Sequence, residues 1–122
     1  MASEGFHESP QDLTPQTRDM HRAIVSLMEE LEAIDWYQQR VDATSDEALR
    51  TILAHNRDEE KEHASMVLEW IRRRDPVFNE QLRKYLFTSE PITGREEASK
   101  AGGASASSSP SSTIGTLRGG RQ

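Results

Sequence analysis

Glu60 and His63 stand three residues apart in the run Asp58-Glu59-Glu60-Lys61-Glu62-His63. On a helix, that spacing places both side chains on one face, one turn apart. A carboxylate and an imidazole in this relation can close on a single metal ion. Glu-x-x-His is also half of the ligand set that two-metal carboxylate sites in helical bundles use. The spacing alone is common, and the position on the helix gives it weight. With the segment Thr44 to Arg74 placed on a helical wheel, Leu49, Leu53, Ala64, Val67 and Ile71 form an apolar stripe, flanked by Ile52 and Trp70. Glu60 falls near the middle of that stripe and His63 lies within it, close to Asn56, whereas Glu62 points away and Glu59 sits at the margin. A carboxylate in a core-facing seam is costly unless it is paired or holds a cation. A single histidine there reads as a hydrogen-bonded core residue; a Glu and a His together, one turn apart, favour a metal site.

The preceding helix supplies one acid that can meet them. Glu30 lies at the edge of that helix's apolar stripe, on the same side as Tyr37 two turns on. Glu29, Glu32 and Trp36 fall on the opposite face. Glu29 and Glu32 suit a solvated face, but an indole among carboxylates there marks an interface. One chain therefore offers Glu30, Glu60 and His63, too few for two metal ions. Two copies related by a two-fold axis supply four Glu and two His, the full set for such a site. The stoichiometry implies a centre shared between subunits.

The elements that must position these residues are few. Thr14 can cap a helix that Pro15 opens, and the stripe Met20, Ala23, Ile24, Leu27, Leu31, Ile34 and Val41 carries it to about Val41. Asp42-Ala43-Thr44-Ser45 interrupts the pattern, and Thr44 with Glu47 reads as a capping box for the second long helix. So short a connection forces the two helices antiparallel. Arg72-Arg73-Arg74 suits a helix C-terminus, where cations meet the negative end of the dipole. Asp75-Pro76 then caps and opens a short third helix with Val77, Leu82, Leu86 and Phe87 as its apolar contacts. Beyond it the chain turns polar, then rich in Ser and Ala, a composition that cannot bury enough apolar area to order itself. The expected division is 1–13 as a flexible N-terminus, 14–93 as a helical hairpin domain, 94–112 as a flexible linker and 113–122 as a terminal peptide. That last stretch holds Ile114 and Leu117 around Gly115, two aliphatics that can fill pockets on another protein over a Ser-rich tether. The fold class is all-α.

With 122 residues, 34% of them hydrophobic, the chain has enough for one small core and gains burial by oligomerising. Its net charge of -6 argues against nucleic acid as a partner and suits cations. The absence of cysteine excludes disulfides, thiolate metal sites and cysteine nucleophiles. No apolar run reaches membrane-spanning length and the N-terminus lacks the pattern of a signal peptide, so the cytoplasm is the expected location and no membrane partner is expected.

Four stretches together resemble the encapsulated ferritins, two-helix ferritin-like cargo proteins of encapsulin nanocompartments. They are His21-Arg22-Ala23-Ile24-Val25-Ser26, the run Met28 to Tyr37, the run Ile52 to His63, and Tyr85-Leu86-Phe87. The terminal Ile114-Gly115-Thr116-Leu117-Arg118 is similar to that family's targeting peptide, with Ile114, Gly115, Leu117 and Arg118 the matched positions. The resemblance implies two hairpins pairing into a ferritin-like four-helix bundle, with a ferroxidase di-iron centre between them. Glu30, Glu60 and His63 match the iron ligands, Glu60 as the bridge, and Tyr37 matches an aromatic close to the centre. Glu29 and Glu32, beside Trp36, match an acidic ion-uptake site that takes iron, calcium or another divalent ion. An annular decamer of five dimers, docked inside an encapsulin shell where mineral accumulates, is the implied assembly. Two rivals remain at this point. One is another ferritin-like di-metal enzyme that consumes peroxide, since ligands alone do not select the metal. The other is a non-catalytic helical cargo protein whose seam carboxylates are structural.

Overall fold

The computed structural model describes residues 5–96. Ile114, Gly115, Leu117 and Arg118, with the rest of the terminal peptide and the linker beyond residue 96, lie outside the described residues. Among the described residues a 3-10 turn at Pro10–Asp12 is followed by α1 (Pro15–Ala43), α2 (Glu47–Arg74) and α3 (Pro76–Tyr85), and residues 92–96 are again helical. No strand occurs among the described residues, and none of their helices is long and apolar enough to cross a membrane.

Local chemistry accounts for the ends of the helices. Thr14 accepts a hydrogen bond from the Thr17 amide, and Pro15 occupies the first helical position, where its missing N–H costs nothing. The second helix starts differently from expectation. Thr44 closes α1, its amide bonded to the Arg40 carbonyl, and its hydroxyl accepts from the Asp46 amide. With Thr44 engaged there, the cap of α2 falls to Asp46, whose carboxylate accepts from the Leu49 amide at 2.9 Å. Glu47 becomes the first helical residue and pairs with Arg50 instead of completing a capping box. Arg50 also donates to the carbonyls of Val41 and Thr44, placing a cation where α1 ends. Asp46→Ala is therefore expected to cost about 1 kcal/mol of stability, whereas Glu47→Ala, which removes only an exposed ion pair, stays within about 0.5 kcal/mol of wild type in urea unfolding.

The chain divides into two compact units, the first ending at Ile71 and the second beginning at Arg72. In the first, α1 and most of α2 form an antiparallel hairpin. As α1 is followed backwards from its end, its partners advance along α2: Val41 meets Arg50, Gln38 meets Arg57, and Glu30 meets His63. Among the described residues only Ala64 and Ile71, both on α2, are buried. Two helices cover only one strip of each other, so much of each stripe stays in solvent: Leu31 is 53% exposed and Ile52 57%, with Ile24 and Leu49 also exposed. A hairpin this open is marginal alone.

In the second unit, Asp75 caps α3 by accepting from the Phe78 amide. Asn79 accepts from both Arg72 and Arg83, and Arg95 reaches the Lys84 carbonyl. Leu86 closes α3, and Phe87 follows with φ 60, the left-handed conformation that glycine usually supplies after a helix. Val77, Leu86, Phe87 and Ile92 are all exposed.

Candidate metal centre

The hairpin register brings one turn of α1 against one turn of α2, and Glu30 of α1 meets Glu60 and His63 of α2 there. One ligand atom from each lies within 4.8 Å of the other two, and no other such three-ligand group occurs among the described residues. His63 Nδ1 is 3.3 Å from Glu60 Oε1 and 3.8 Å from Glu30 Oε1. His63 thus faces both carboxylates, which also approach each other within 4.8 Å. The carboxylates are about three-quarters covered, with side chains 25% and 22% exposed, while His63 is 41% exposed. The cluster therefore opens onto the hairpin surface instead of being sealed within it.

Two carboxylates this close compete for one proton. The hydrogen bond with Glu60 holds Glu30 above the usual carboxylate range, with burial and the Glu60 charge adding to it. That same hydrogen bond holds Glu60 below its usual range, and His63 lowers it further. A divalent ion competes with the proton for these carboxylates, so anaerobic metal binding should release protons where Glu30 still holds one and weaken as the pH falls through the raised Glu30 range. Calorimetry in buffers of different ionisation enthalpy measures both effects. For the cation-free hairpin the sign reverses. Stability from the proton on Glu30 is present below the ordinary Glu range and is lost as pH rises through the raised value. Tm measured across that interval should fall in wild type and stay flatter in Glu30→Gln.

The other anticipated residues are distributed differently. Tyr37, half-buried, has the Arg40 guanidinium 5.4 Å from its ring centroid. Glu29 and Trp36 are exposed and Glu32 is half-buried. Not anticipated was an apolar groove of about 410 Å³ between α1 and α2, with Ala23 and Ser26 on one wall and Met66, Val67 and Trp70 on the other. It lies one turn beyond the ligands, since Ser26 precedes Glu30 by four residues and Met66 follows His63 by three. Small residues on α1 at the Glu30 edge, opposite a Met and a Trp, were the available signal.

The geometry can be set beside known proteins. The EncFtn-like family model matches residues 5–89. The chain is 54% identical over 127 residues to the "Encapsulated ferritin-like protein" of Rhodospirillum rubrum, covering 97% of this chain and 91% of that protein. It is 54% identical over 100 residues to the "Ferritin-like protein" of Thermotoga maritima, covering 82% of this chain and 88% of that protein. The crystal structure of protein ne0167 from Nitrosomonas europaea is similar at a TM-score of 0.71 and 65% identity, covering 72% of this chain and 97% of that chain. The matched span holds α1, α2 and α3 and every member of the Glu30–Glu60–His63 cluster, and the chain belongs to the EncFtn-like family, with its ferritin-like helical fold.

Proposed function

We propose that this chain oxidises ferrous to ferric iron at a two-iron centre completed by a second copy, and delivers the product for mineral storage inside an encapsulin shell. The observation that carries this reading is the half-exposed Glu30–Glu60–His63 cluster. Its two carboxylates and one imidazole are hard and borderline donors suited to iron, and three ligands are half of a two-iron set. Two ferrous ions supply one electron each, and the oxidant, dioxygen or peroxide, takes up both. The residues' part is to hold the ions at one spacing through Glu60, to give up any proton they carry as the ions bind, and to match the added positive charge of the product with carboxylate.

The exposed stripes supply reasons for self-association. An isologous pairing of hairpins would cover the open cluster and add the missing three ligands. A ring of such dimers needs a second interface, for which the exposed Val77, Leu86 and Phe87 are available. An annular decamer fits both needs. Glu29 and Glu32, beside the exposed Trp36, form the acidic uptake site in this reading and concentrate cations by attraction. Tyr37 is the aromatic side chain near the centre. Ile114, Gly115, Leu117 and Arg118 dock the assembly on the shell, in keeping with the word "encapsulated" in the name of the Rhodospirillum relative. The direct test is ferrous iron consumption under air, followed with and without protein. Acceleration saturating with iron supports the reading, and a rate equal to buffer leaves a non-catalytic cargo protein.

A further inference from the structure

The seams of the two long helices each carry one polar residue that the metal chemistry does not use. On α1 the positions Met20, Ile24, Leu27, Leu31, Ile34, Gln38 and Val41 follow alternating steps of four and three, the spacing of a helix-pairing seam, and Gln38 interrupts it. On α2 the same steps run through Leu53, Arg57, Glu60, Ala64, Val67 and Ile71. Glu60 there serves the metal centre, and Arg57 is the remaining charge. The structure joins these two polar residues. Arg57 Nη1 donates to Gln38 Oε1 at 2.8 Å across the hairpin, and Arg57 Nε donates to Asp58 at 3.0 Å. The other end of the Gln38 amide donates to Asp42 at 2.9 Å, so both amide ends are used and its orientation is set. The Arg57 side chain is only 19% exposed.

We infer that Gln38 and Arg57 form a register key, a pair of positioning residues that holds Glu30 of α1 opposite Glu60 and His63 of α2. Leu, Ile, Val and Ala seams can pair again after a shift of about one turn, because apolar packing asks mainly for volume and patterning. A slip of α2 by one turn keeps its apolar seam facing α1 but carries Glu60 about 5 Å along the hairpin, away from Glu30. The one hydrogen bond that joins the Gln38 amide to the Arg57 guanidinium, with the amide oriented by Asp42, is lost after such a slip, as with the single polar residues that set register in paired helices. Arg57 lies one turn before Glu60, close enough to transmit its position to the ligand. The inference rests on the iron-binding reading above.

The test is the full chain carrying Gln38→Leu and Arg57→Leu together, compared with each single change and with Arg57→Lys. Thermal unfolding and anaerobic ferrous iron binding are both measured. The expected result is a double variant with Tm close to wild type, since Gln38 is exposed and surface substitutions cost little, but with iron affinity weakened by about 10–100-fold, the usual range for residues that orient metal ligands. Arg57→Lys, which keeps a donor for Gln38, should recover part of that affinity. Unchanged iron affinity in the double variant overturns the inference. So does a fall in Tm that matches the fall in affinity, because the pair would then act through general stability. Wild-type protein that binds no iron in the same titration would instead refute the proposed function.

Discussion

Glu60→Ala is expected to reduce protein-dependent oxidation of ferrous iron to the buffer rate while leaving the far-ultraviolet circular dichroism spectrum that of wild type. Glu60 meets both other members of the cluster, at 3.3 Å from His63 and by a hydrogen bond with Glu30. Removing it leaves only Glu30 and His63, 3.8 Å apart, and a single carboxylate with one imidazole is too few for half of a two-iron set. Because two copies complete the centre in the proposed reading, one substitution deletes two of six ligands. The helix should survive, since alanine is the strongest helix former and the site is not part of the sparse buried core. Glu30→Ala and His63→Ala should show the same loss with the same intact helix. Wild-type rates in any of the three would place the chemistry elsewhere.

Met66→Arg should be nearly as damaging without touching a ligand. Met66 is 58% exposed, lies on the groove wall beside Trp70, and stands one turn beyond His63. A guanidinium there is solvated in the single hairpin and leaves it folded. A second copy closing over the cluster would have to bury it beside a cationic centre, at a cost of several kcal/mol. Assembly and iron uptake are therefore expected to fail together, read as a shift to monomer by light scattering and loss of binding in anaerobic titration. A variant that still assembles and binds iron as wild type does would put the shared face on another side of the hairpin.

Much of this was legible in the chain. Thr14-Pro15 and Asp75-Pro76 each combine a capping side chain with a residue that fits only the first helical turn, and both helices begin there. The cluster was legible because a carboxylate and an imidazole occupied an apolar stripe at one-turn spacing. Glu30 was harder, since it sits at the edge of its stripe, and only the antiparallel register singles it out from its acidic neighbours. The start of α2 was misread because Thr44 and Asp46 are both good caps. Which one serves α2 depends on where α1 ends, and Thr44 was already holding that end. The Gln38–Arg57 contact escaped because each residue alone looks like a solvated polar position, and its meaning arises only when the two seams are placed side by side.

The central claim is that the metal centre belongs to two chains and not to one. Native mass spectrometry of the purified full chain, titrated with ferrous iron without oxygen, tests it most directly. The expected result is an even-numbered assembly that takes up about two irons per pair of chains, as the shared ligand set requires. A monomer that binds iron at full occupancy, or an assembly that takes up none above background, would contradict it.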